Sequence, residues 1–218
     1  MGIYAEIIIL YILLFFSGSA AFLTGSGAEG AVFSVKGEIT KILFYCIPAL
    51  ALIWHLIIKS WKIEYFLIKP GRKDLISGLI VFPCLLITGF SVTAASSIIG
   101  AAPAQFALHS PSSAIEWAVL CVSCFLFAYL EESYFRFYIL SKREELHLSS
   151  QSALIFSVAL FSICHIYEGP WGFLNAVISG TFLCFIFLRY NSLHGIAIAH
   201  GLYNISVYAL NAVLNQQT

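Results

Sequence analysis

Seven stretches of this chain are apolar over lengths close to what a bilayer demands: residues 3–23, 42–58, 75–99, 114–140, 151–167, 172–188 and 193–214. A hydrocarbon core about 30 Å thick takes roughly 20 residues of helix. In lipid each backbone N–H and C=O must be satisfied without water, so a spanning segment is a helix or part of a closed barrel. Barrel strands alternate polar and apolar residues over about ten positions. Runs such as Ile7-Ile8-Ile9-Leu10 and Phe182-Leu183-Cys184-Phe185-Ile186-Phe187-Leu188 do not alternate. The expected fold is all-α, a polytopic membrane helical bundle of about seven transmembrane helices in a single integral membrane domain, 1–218.

Composition agrees. Of 218 residues 60% are apolar and 10% charged, against about 45–50% and roughly 25% in soluble domains. Eleven basic and eleven acidic residues are too few to solvate a soluble body of this size. They also leave no basic face for nucleic acid. The partner implied by composition is the lipid bilayer. The six cysteines lie in apolar runs, where a free thiol behaves as a small hydrophobe; no disulfide is implied. The small residues Ser17-Gly18-Ser19-Ala20-Ala21 could follow a signal peptide. The only early charge is Glu6 rather than a positive cluster, so the first span reads as a retained helix.

Basic loops set orientation. Lys59, Lys62, Lys69, Arg72, Lys73, Lys142, Arg143 and Arg189 fall on one side of seven spans, Lys36 and Lys41 on the other. That puts the N-terminus in the cytoplasm and the C-terminus outside. The Gly-rich segment 25–40 reads as a loop or short interfacial helix, and 62–69 as a segment lying along the cytoplasmic face.

A charge inside a bilayer costs several kcal/mol and calls for an explanation. The fourth span carries Glu131, Glu132 and Arg136. Glu132 and Arg136, four apart, share a helix face in the favourable order for an ion pair, whereas Glu131 lies about 100° round and is not neutralised by that pairing. The fifth span ends in Phe161-Ser162-Ile163-Cys164-His165, and the seventh places His200 and Asn204 one turn apart. At 1.5 Å per residue, Glu131 lies about 13 Å into its span, His165 about 21 Å, His200 about 10 Å and Asn204 about 16 Å. The spread is wide for one site. The remaining histidines, His55, His109, His147 and His194, sit at span ends or in loops and read as structural.

A carboxylate and imidazoles shielded from lipid can activate water. Glu is a competent general base when desolvated, a His can hold the water or protonate a leaving amine, and a His/Asn pair can donate to an oxyanion. Zinc held by Glu and His is the competing chemistry. No HExxH is present, which favours a metal-free site without a cofactor. A transporter would also place Glu, His and Asn inside a bundle, but inverted repeats and paired broken helices are absent from the pattern.

The order Glu131-Glu132-x-x-x-Arg136, Phe161-x-x-x-His165 and His200-x-x-x-Asn204 on successive spans resembles the three motifs of the CPBP intramembrane proteases. That family takes in the CAAX prenyl endopeptidases and bacteriocin-processing or immunity proteins, and the resemblance covers roughly 114–214. It implies a glutamic-type endopeptidase acting on a membrane-associated protein or peptide. Glu131 would be the general base, His165 would bind or activate water, and His200 and Asn204 would form the oxyanion hole. Glu132 and Arg136, with Phe161, would hold the site's geometry. A catalytically idle immunity or scaffold member and a zinc-dependent version are the alternatives the resemblance leaves open. A bacterial inner membrane is the expected location.

Overall fold

The computed structural model describes residues 2–24, 33–60, 70–100 and 110–215. Among these residues all regular structure is helical. The elements are α1 (Ile3–Thr24), α2 (Val35–Lys41), α3 (Ile47–Ser60), α4 (Arg72–Ile98), α5 (Ala114–Glu131), α6 (Ile139–Ser141), α7 (Ser150–Ile163), α8 (Gly169–Tyr190) and α9 (Leu193–Asn215). A π-helical turn over Ile42–Cys46 joins α2 to α3, and another over Glu132–Tyr138 joins α5 to α6. Such turns close i→i+5 hydrogen bonds and recur at functional sites.

Among the described residues five helical stretches are long and apolar enough to cross a membrane: Val35–Lys59, Arg72–Ile98, Ala114–Ser141, Ile166–Tyr190 and Leu193–Leu214. Ile3–Phe16 and Ser150–Ile163 are shorter apolar helices. Large apolar side chains such as Phe44, Ile80, Ile115, Ile155 and Phe185 lie exposed, an outer face suited to lipid and not to water. The protein is an integral membrane protein with a helical-bundle fold.

Two expectations change. The segment from Val35, expected as a loop or short interfacial helix, is helical from its Ser34 cap, but it runs on through the π turn into α3 and lengthens the second span. The fifth helix does not continue to Tyr167 but stops at Ile163. Its 14 residues make about 21 Å of helix, short of the bilayer core. The expected interfacial segment 62–69, residues 25–32 of the Gly-rich segment and His109 lie outside the described residues.

The chain forms two compact units. The first comprises Met1–Gly30, Leu86–Ala107 and Phe135–Asn191. Here α7 packs on α8, and α1 meets the 3-10 turn Ile166–Glu168. Ser149 caps α7 by accepting from the Ser152 N–H at 3.1 Å. Pro170, in the first turn of α8 where its missing N–H costs least, and Asn191 in the left-handed conformation bound that helix. Phe15, Phe135 and Phe161 form a run of ring contacts at 4.8 and 5.3 Å. Tyr4 donates to the Leu146 carbonyl at 2.8 Å, and the Tyr138 hydroxyl donates to Glu6.

The second unit comprises Ala31–Leu85, Leu108–Tyr134 and Ser192–Thr218. Its centre is the pairing of α5 with α9. A capping box of Ser113 and Glu116 starts α5, which satisfies two otherwise orphaned backbone donors. Gly201 lets the two helices close up, because a Cβ there would lie 2.5 Å from the Phe125 ring. The Ser123 hydroxyl donates to Glu38 of α2 at 2.8 Å. Ser110 donates to the Tyr208 carbonyl at 3.0 Å.

Candidate active site

The end of α5 hands Glu131 over to the π turn that begins at Glu132. Both carboxylates of this adjacent pair meet the same imidazole. Glu132 Oε1 is 2.8 Å from His200 Nδ1, and Glu131 Oε2 is 3.5 Å from Nε2. Glu132 is fully buried and the His200 side chain nearly so, while Glu131 keeps 17% exposure. A carboxylate on Nδ1 fixes which ring nitrogen faces outward. Glu132 therefore aims the ring, and Nε2 is turned toward the one carboxylate of the three groups that retains access. The sequence reading gave His200 no carboxylate partner; the structure gives it two. Asn204, one turn on in the same helix, is half-buried.

His165 belongs to the other unit, as do Phe161 and Arg136. Its placement differs from the sequence expectation: it follows the end of α7 with backbone angles of −102° and 6° instead of lying within the helix. The cause is local. In a continuing helix the Phe161 carbonyl would accept the His165 backbone N–H. Here that N–H goes to Ser162 at 3.0 Å, and the Phe161 carbonyl takes His165 Nδ1 at 2.8 Å and the Cys164 thiol at 2.9 Å. Side chains thus satisfy a carbonyl that the ending helix exposes.

Arg136 is buried completely. Its guanidinium lies 4.1 Å from the centre of the Phe161 ring, and Nη2 donates to the Gly180 carbonyl at 3.4 Å. A cation on an aromatic face is worth about 2 kcal/mol where water is excluded. Phe161 in turn contacts the His165 ring at 4.4 Å between centres.

Among the described residues no group of three or more His, Cys, Asp and Glu side chains is placed to hold a metal ion. Around His200 the imidazole stands between the two carboxylates, each on its own ring nitrogen. In that unit Nε2 and Glu131 Oε2 lie 3.5 Å apart, two donors against the three protein ligands of a usual catalytic zinc. The six cysteines are all free.

Comparison with known proteins adds one finding. Residues 113–206 match the Rce1-like family model, described as type II CAAX prenyl endopeptidase Rce1-like. The matched segment runs from the cap of α5 into α9 and contains all seven residues of the motifs. It supports a membrane endopeptidase at the level of the family. No curated protein and no solved structure matches the chain.

Sequence reasoning read His194 as structural. It lies 3.0 Å through Nδ1 from the Tyr129 hydroxyl, near the start of α9, where Ser192 donates to Asp74. The pairing joins α5 to α9 and is consistent with a packing role. Cys164 and Gly180 were overlooked. The signal for Cys164 was its place between Phe161 and His165 at a helix end; no sequence pattern marks Gly180.

Proposed function

We propose that the protein is an intramembrane endopeptidase that hydrolyses a peptide bond of a membrane-associated protein or peptide with water activated by Glu131. The observation that carries this reading is the pair of adjacent carboxylates on opposite nitrogens of His200. One of them, buried Glu132, has the geometry of an orienting group. The other, accessible Glu131, has that of a working base.

In the proposed reaction Glu131 takes a proton from water as the oxygen adds to the scissile carbonyl. His200, aimed by Glu132 and carrying a proton on Nε2, and the Asn204 amide donate to the developing oxyanion. His165 binds the water. The proton held by Glu131 passes to the amide nitrogen as the C–N bond breaks, leaving a new carboxyl terminus and a free amine. No metal takes part in this scheme, and Arg136 and Phe161 support the position of His165. The location is the bacterial inner membrane, with the N-terminus in the cytoplasm in accord with the basic loops.

The test is direct. Purified protein, reconstituted in liposomes with membrane proteins from cells lacking it, should generate a discrete set of new termini, undiminished by a strong chelator. Loss of those termini in chelator and their return with zinc would replace the metal-free scheme. No new termini at all would point to a binding role, as in an immunity or scaffold protein.

A further inference from the structure

We propose that Gly180 is a positioning residue for His165. It is the seat of a column, Arg136 on Phe161 on His165, that holds the imidazole with its proton on Nδ1 and leaves Nε2 as the working nitrogen. The proposal rests on the reading of His165 as part of the catalytic set.

The tautomer follows from the acceptor. A backbone carbonyl can only accept, so the 2.8 Å contact between His165 Nδ1 and the Phe161 oxygen requires a proton on Nδ1. In the neutral ring Nε2 is then a bare acceptor, the form suited to take a hydrogen bond from water. The Cys164 thiol shares the carbonyl and lies 3.3 Å from Nδ1, so two donors converge on one oxygen. This arrangement survives only if the Phe161 backbone and the His165 ring keep their relation.

That relation is set from α8. Gly180 is buried, and a Cβ built on it would fall 2.9 Å from Phe161 Cδ1 and 3.3 Å from Arg136 Nη2. Atoms of a rigid ring and of a guanidinium held at full burial cannot both give way cheaply. The Gly180 carbonyl also accepts from that same Arg136 nitrogen. Gly180 thus contributes the space for the ring and an acceptor for the cation resting on it. Tyr167 lies nearly parallel to the His165 ring, at 6.5 Å and 20°. Adding one methyl group at position 180 should push Phe161 outward and carry the His165 ring with it. A displacement of about 1 Å at a reacting group costs on the order of a hundredfold in rate.

The test needs no known substrate for its first reading. In protein labelled with 15N-histidine and held in detergent micelles, the His165 signals are identified by their loss in His165→Gln. Wild type should show one protonated and one bare ring nitrogen. Gly180→Ala should show averaged nitrogens from mixed tautomers, and cells carrying it should process membrane precursors about a hundredfold more slowly. If Gly180→Ala leaves the His165 nitrogens as in wild type, the proposal is overturned. Should that variant fail to accumulate, Phe161→Leu decides. It removes the ring of the column while keeping the carbonyl, and averaged nitrogens support the column whereas an unchanged pair overturns it. Scrambled tautomers with normal precursor processing would uphold the column and remove His165 from the chemistry.

Discussion

The two imidazoles of the sequence motifs, one in each compact unit, are held by opposite means. His200 is gripped by charge, with a carboxylate at each ring nitrogen. His165 is gripped by a main-chain carbonyl and an aromatic ring, with the Arg136 guanidinium over that ring. A ring between two carboxylates can carry a proton on each nitrogen and donate in both directions. A ring tied to a carbonyl has one nitrogen committed and the other bare. In the proposed reaction the contrast corresponds to two roles, a donor for an oxyanion and an acceptor for water, although both groups are histidines.

The largest effect is expected at His200. His200→Ala should lower precursor cleavage by about a hundredfold or more, and it leaves the buried Glu132 without its imidazole. Removing one member of a buried charged pair costs about 3–5 kcal/mol. The melting temperature in detergent should therefore fall with the activity, and an unchanged melt would show that the bridge to α9 carries no structural weight. Glu132→Gln is milder. It keeps an acceptor for Nδ1 and loses only the charge, so cleavage should fall about tenfold, the margin between a charge-assisted and a neutral hydrogen bond. Equal loss in the two variants would make Glu132 more than an orienting group.

Two smaller effects sharpen the contrast. In the first unit Ser157 donates to the Phe135 carbonyl at 2.6 Å, next to the cation of the column. Ser157→Ala should cost about 1–1.5 kcal/mol of stability through the hydrogen bond it loses, read by thermal unfolding. In the second unit Tyr129→Phe should cost about 1 kcal/mol and leave cleavage at the wild-type rate. Loss of cleavage in Tyr129→Phe would bring His194 into the site and blur the division of roles.

Much of the fold could be read from length and hydropathy, because lipid permits so few backbone solutions. A run such as 172–188 can only be a helix there, and α8 is one. What failed was the assumption that apolar means helical to the end. The apolar run carries on through Cys164 and Ile166, yet the His165 side chain takes the carbonyl its own backbone would have used, and the helix stops at Ile163. The motif spacing likewise named Glu131, Glu132 and His200 without showing that both carboxylates address one ring. That depends on the approach of α5 and α9, which Gly201 permits and which no local pattern encodes. Gly180 was invisible for the same reason, since its meaning lies in the Phe161 ring and the Arg136 guanidinium brought against it by packing.

Glu131 is the base of the proposed reaction, and the most direct measurement compares membrane-protein termini in cells carrying wild-type protein or Glu131→Gln at equal levels. A discrete set of uncleaved precursors accumulating in the variant, with the protein itself inserted and stable, is the expected result. Identical termini in the two strains, together with a phenotype when the protein is removed, would contradict it and leave a protein that works by binding.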